Sequence, residues 1–235
     1  MDINLLLIII FISFLQSIFG VGILLFGTPI LLYLDYSFIH TLNILLPLSL
    51  LVNLVQLYSS YKAVDYKFYF TFLKYSIPFV FLSLFLIIKI EINMNLLIGL
   101  LVILVFFQNK TPYFKNTIIK LIDDRIVLII LGIVHGLTNL GGSLLTTIIY
   151  SKEMNKDNTR STIVICYATL AIIQLITLSF VLKEFYFTNI FVYCLLSFLT
   201  VVFTEKFLYH RINSKNYKSI FEVFLLFMGL FLIFK

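Results

Sequence analysis

The chain has 235 residues, 61% of them hydrophobic and only 12% charged, with a net charge of +6. A soluble domain carries about 25% charged residues, so a water-exposed surface wrapped around one core is excluded. The basic excess does not point to nucleic acid: in so apolar a chain, Lys and Arg mark loops on the cytoplasmic side of a bilayer. Residues 3–34, 36–61 and 126–151 contain no Asp, Glu, Lys or Arg. A lipid core of roughly 30 Å takes about 20 residues of helix to cross, and it offers the backbone no hydrogen-bond partners, so spans must be helices or closed barrels. Barrel strands alternate polar and apolar, and these runs do not. The predicted fold class is an all-α polytopic membrane protein, one integral domain over 1–235 that lies multi-pass in the cell's cytoplasmic membrane with lipid as its partner.

In chain order, the predicted segments are 3–33, 38–58, 68–88, 94–107, 126–151, 161–182, 186–204 and 219–234. The first has no basic flank before it and no small-x-small cleavage site after it, so it is read as retained rather than as a secretion signal. The polar linker Gln108–Arg125 divides the eight into two groups of four. Cys166 and Cys194 fall within apolar segments, where they pack rather than pair. No His-Glu-x-x-His and no metal-binding carboxylate cluster occurs, so neither a cofactor nor an enzyme is expected. Gly141-Gly142-Ser143 with His135 and His210 faintly suggests an intramembrane serine protease, but Leu144 stands where that motif needs glycine.

A shift of 119 positions superposes the first segment of each group, laying Gly22, Leu25, Thr28 and Ile30 on Gly141, Leu144, Thr147 and Ile149. With one residue deleted, Thr41 meets Thr159 and Gln56 meets Gln174. Seven of the nine glycines lie in the two matched segments: Gly20, Gly22, Gly27, Gly132, Gly136, Gly141 and Gly142. Tight helix packing is one reading of such glycines. The other is that both segments break at corresponding points, a pointer to a transporter binding site. Charge separates the alternatives. If every segment crosses, Lys and Arg divide nine to eight. If 3–33 and 126–151 are re-entrant and return to the side they entered, the division becomes fourteen to three, with only Lys89, Lys183 and Lys235 on the poorer side. The second arrangement obeys the positive-inside rule. It predicts two inverted repeats, 1–107 and 126–235, each a broken or re-entrant glycine-rich segment plus about three transmembrane helices, with both termini outside.

A helix interrupted within the membrane exposes N–H groups and a positive dipole end, which favour an anion. Glycine lets backbone approach closely. Candidate substrate-binding residues are Gln16, Gly20, Gly22, Thr28, Asn53, Gln56, His135, Thr138, Asn139, Gly141, Gly142, Ser143 and Gln174. Gln16 and His135 occupy equivalent positions just before the two breaks. An ionisable group inside a span is a functional candidate, and histidine titrates near neutral pH, so His135 could also carry a coupled proton.

At these stretches the chain resembles the sulfite exporter family of the TauE/SafE type. That family repeats a Gly-x-Gly-Gly-Gly motif, followed four residues later by Pro, in each half. Gly20, Gly22 and Pro29 match the first copy, with Ile23 and Leu24 in place of glycines. Gly141 and Gly142 match the second, with Asn139 and Ser143 at outer positions and Ile148 in place of Pro. Glu205-Lys206, Tyr217-Lys218 and Gly229 fit the family's closing segment. The resemblance implies a secondary transporter, often an exporter, of sulfite, a sulfonate or a related small organic anion. Two other readings stay open from the residues alone: a membrane scaffold that transports nothing, and a passive anion channel.

Overall fold

The structure, a computed structural model, describes residues 3–19, 22–90, 94, 96–100, 103, 123–152, 154–183 and 189–207. Gly20, most of the fourth predicted segment, nearly all of the linker and the whole of 219–234 lie outside this set. Among the described residues there are helices and no strand. We label them α1 (Ile3–Phe19), α2 (Ile23–Tyr33), α3 (Phe38–Ser60), α4 (Tyr66–Lys89), α5 (Asp124–Thr138), α6 (Gly142–Ser151), α7 (Lys156–Ile176, continued by a π-helical turn Thr177–Leu182) and α8 (Ile190–Phe207). Three stretches, Phe38–Tyr58, Tyr66–Lys89 and Asp157–Val181, are long and apolar enough to cross a membrane, and Ile3–Ser17, Ile23–Tyr33 and Ile190–Thr204 are shorter apolar helices.

The boundaries follow local chemistry. Ser37, Asp65 and Asn155 each accept a backbone N–H from the first turn of α3, α4 and α7, at 3.2, 3.0 and 2.8 Å. Side chains of this kind satisfy donors that a helix start leaves open. Both glycine-rich segments are broken: 3–33 becomes α1 and α2, and 126–151 becomes α5 and α6. Gly132 and Gly136, grouped with the breaks on sequence, instead lie inside unbroken α5. A β-carbon on Gly132 would meet the Ser76 carbonyl, and one on Gly136 the Ser83 hydroxyl. These two glycines therefore press α5 against α4, where Ser76 Oγ donates to the Leu128 carbonyl at 2.9 Å.

At each break the chain doubles back. A β-carbon on Gly22 would lie 2.6 Å from Gln16 N, and one on Gly27 would lie 3.2 Å from Ile12 Cδ1. Fifteen residues of continuous helix would extend roughly 22 Å, so α2 must return along α1. In the second pair, Lys152 at the end of α6 pairs with Asp124 at the start of α5 at 2.6 Å. The first pair closes likewise: Asn4 lines one surface pocket with Leu34, Asp35, Tyr36, Ser37 and His40.

The two hairpins open at opposite ends of α3. The first ends where α3 begins, at Phe38. The second opens beside the start of α4, where Lys152 lies over the Phe68 ring and Arg125 over the Tyr75 ring. That start follows the far end of α3, 23 residues and roughly 34 Å away. α3 and α7 pack on each other at the centre; α4 lies on α5 and α7, and α8 lies on α1 and α3.

Candidate functional site

Gln16, Thr28, Asn53, Gln56, His135, Thr138, Asn139, Ser143 and Gln174 are all buried. Burying polar groups is costly unless they are hydrogen-bonded, so where those bonds go is informative. At the first break, Gln16 Oε1 accepts from the N–H of Ile23, the first residue of α2, at 3.0 Å. Its amide nitrogen reaches Asn53 Oδ1 at 3.4 Å, and Asn53 Nδ2 donates to the Ser49 carbonyl at 2.7 Å. Gln16 thus caps the returning helix and ties it to α3.

At the second break, α5 ends on Asn139 in the left-handed conformation, φ 63°. Asparagine tolerates this region better than most residues. The turn is closed by Asn139 N to the His135 carbonyl at 2.7 Å and by Leu140 N to Thr138 Oγ1 at 3.3 Å. Ser143 Oγ donates to the Leu140 carbonyl at 3.1 Å, so it serves the turn itself. Gly141 packs on His135 as Gly22 packs on Gln16: a β-carbon there would lie 2.5 Å from His135 Cβ. Both glycines therefore admit the chain's own returning backbone. Gly142 differs, because a β-carbon on it would strike the Tyr167 hydroxyl.

The two halves meet here. Asn139 Nδ2 donates to Thr28 Oγ1 of α2 at 3.0 Å across 111 residues of sequence. On the same turn of α5, His135 Nε2 hydrogen-bonds Gln174 Oε1 of α7 at 3.1 Å. His135 Nδ1, Asn139 Oδ1 and Gln174 Nε2 are buried with no partner among the described residues. The structure thus brings Thr28, His135, Thr138, Asn139, Gly141 and Gln174 into one polar cluster, and groups Gln16, Gly22 and Asn53 at the other break. Gln56 is buried on α3. Tyr167, absent from the sequence candidates, faces Gly142; its seven-residue spacing from Gln174 puts both on one face of α7.

No cluster of His, Cys, Asp or Glu suited to a metal is present among the described residues. Cys166 and Cys194 are both free thiols.

The sequence profile described as Sulfite exporter TauE/SafE matches residues 5–232 of the 235-residue chain. The chain belongs to the TauE/SafE family. The match spans both breaks and the whole polar cluster. Comparison with curated proteins and with solved structures gave no match. TauE/SafE membership makes this a protein of a membrane-transporter family associated with sulfite and related anions, in keeping with its apolar helices. It also places the family's motif residues in physical terms: Gly22 and Gly141 are the close contacts that let each segment fold back.

Proposed function

We propose that the protein is a secondary transporter of a small anion, sulfite or a related sulfur or organic oxyanion, bound in the cytoplasmic membrane where the two broken segments meet. The observation that carries this reading is the contact of Asn139 on Thr28 beside three buried, unpartnered polar atoms, His135 Nδ1, Asn139 Oδ1 and Gln174 Nε2. A buried polar group without a partner costs about 1–3 kcal/mol, so such a group calls for an explanation, and a ligand supplies one. The start of α6, with glycine at its cap and no side-chain bond to it, adds a helix end with a positive dipole.

On this reading the halves 1–107 and 126–235 are inverted repeats, and each hairpin is re-entrant. Its support is the pairing of elements: α4 on α5 matches α8 on α1, α4 on α7 matches α8 on α3, and α3–α7 lies on the axis. The opening of the hairpins at opposite ends of α3 supports it too. A coupled proton is the drive we assign, carried through the His135 cluster.

The test is uptake of labelled sulfite into proteoliposomes. Saturable flux above empty vesicles, lost in Gly141→Leu while the variant still inserts, is the expected result. Flux that rises linearly with concentration would make the protein a channel, and no flux at all would leave a scaffold.

A further inference from the structure

The two breaks hold equivalent positions but are not chemically equivalent. Gln16 has its amide oxygen on Ile23 N and its amide nitrogen on Asn53. The first break therefore already places an oxygen of its own chain against the start of α2, where a ligand oxygen would otherwise sit. At the second break, the residue in the Gln16 position is His135, whose Nε2 hydrogen-bonds Gln174 of α7. The cap of α6 is Gly141, which has no side chain to bond to it, and Ser143 N donates to the Leu140 carbonyl. His135 Nδ1 and Gln174 Nε2, the remaining atoms of the pair, are buried with no partner among the described residues, as is Asn139 Oδ1.

The character of these atoms limits what can fill them. Among the described residues no carboxylate pairs with His135, and the ion pair found there joins Lys152 and Asp124. Take the imidazole as neutral. With Gln174 Oε1 accepting, His135 Nε2 carries the ring proton, so Nδ1 offers a lone pair and Gln174 Nε2 offers an N–H. Reversing the Gln174 amide exchanges the roles: Nδ1 then offers an N–H and the amide oxygen a lone pair. In both orientations the pair presents one donor and one acceptor. Asn139 Oδ1 is a further acceptor. A fully deprotonated anion or a sulfonate only accepts hydrogen bonds, so it would leave both acceptors unmatched, whereas one O–H matches the acceptor of the pair.

We propose that the second break binds an oxyanion that retains one O–H, of the hydrogen sulfite kind, with its O–H on the acceptor of the His135–Gln174 pair and an anionic oxygen on the donor. The proposal rests on the anion-site reading above and narrows its substrate class. The coupled proton then enters as the ligand's own O–H.

Calorimetric titration of the purified protein in lipid nanodiscs tests it, with sulfite, selenite and methanesulfonate as probes, at a pH where the first two are largely monoprotonated. We expect sulfite and selenite to bind at least about tenfold more tightly than methanesulfonate, the size of one hydrogen bond to a charged group. Gln174→Leu should weaken sulfite binding by about the same factor, because it removes one member of the pair. His135→Gln should keep the preference, because an amide also supplies one donor and one acceptor. Equal affinity of the native protein for methanesulfonate and sulfite would overturn the O–H requirement while leaving an anion site in place. No binding of any probe, with undiminished sulfite flux in Gly141→Leu, would remove the anion site and this inference with it. If Gln174→Leu does not fold, the three-ligand comparison on the native protein decides.

Discussion

Asn139 performs two tasks that separate substitutions distinguish. Its backbone holds the left-handed turn that ends α5, and its side chain reaches Thr28 in the other half. Asn139→Gly keeps the backbone freedom and loses only the bond. Asn139→Ala loses the bond and also leaves a β-carbon in the left-handed region without the local hydrogen bonding that lets asparagine adopt it, which costs of order 1 kcal/mol. Thermal unfolding should therefore rank native above Gly above Ala, while transport falls in both variants. The reverse order would mean the turn is not strained. Gly22 and Gly141 are tighter still. The β-carbon of an alanine would lie 2.6 Å from Gln16 N or 2.5 Å from His135 Cβ. The obstacle at Gly22 is backbone that cannot step aside, so Gly22→Ala should lower the melting temperature and Gly22→Leu should abolish flux. Full flux in Gly22→Leu would refute the packing described here. The sequence made Gln16 and His135 legible, because one shift of 119 laid them on each other. It did not reveal that one would be saturated and the other open, because that depends on Asn53 having an amide where the second half has Ala171.

At the scale of elements, two of the contacts between the halves, α4 on α5 and α1 on α8, are seated on small residues. Gly132 and Gly136 seat α5 on Ser76 and Ser83 of α4. In the matching interface, Ser13 Oγ of α1 donates to Ser197 Oγ of α8 at 2.7 Å, and Ser17 and Thr204 are buried alongside on the same two helices. The shift of 119 carries Ser13 and Ser17 onto Gly132 and Gly136, and a shift of 121 carries Ser76 and Ser83 onto Ser197 and Thr204. Small residues four apart let membrane helices approach closely and exchange hydrogen bonds. Gly136→Leu should push α4 and α5 apart and cost about 1–3 kcal/mol or more, read as reduced yield of folded protein in detergent. An unchanged melting temperature would contradict the interface. This is also where sequence reasoning stopped short. A glycine at a chain break and a glycine under a neighbouring helix are the same residue in a list, and only the partner distinguishes them. The helices themselves were legible, since runs of apolar residues leave the backbone little else to do in lipid. Hydropathy had already placed the start of α3 at Phe38, after Ser37; the caps Asp65 and Asn155 set the starts of α4 and α7 two and five residues earlier than hydropathy had them.

For the molecule as a whole, the decisive expectation is sidedness. Arg125, Lys152 and the start of α4 gather at one end, and Asn4 with Asp35 lies at the other. In a background lacking Cys166 and Cys194, single cysteines at Lys62 and Lys156 should resist an impermeant thiol reagent in intact cells, and one at Asp35 should react. Cysteines at Lys115 and Lys215, beyond the described residues, should also be protected. Labelling at both Lys62 and Lys156 would reverse the orientation, and labelling at only one would break the re-entrant topology.

The pairing of α1 with α8 also has a consequence in time. Ser13 and Ser197 are 184 residues apart in sequence. At about 5–20 residues per second, a ribosome delivers α8 roughly 10–40 s after α1 has emerged. Through that interval the first hairpin has its own α2 and α3 for company but lacks the helix that covers its outer flank. Nascent chains stopped before Ile190 should therefore hold α1 loosely, open to protease or to solvent exchange, while α4 and α5, neighbours much closer in synthesis, are already clasped. The second half to be made is the first whose hairpin is secured.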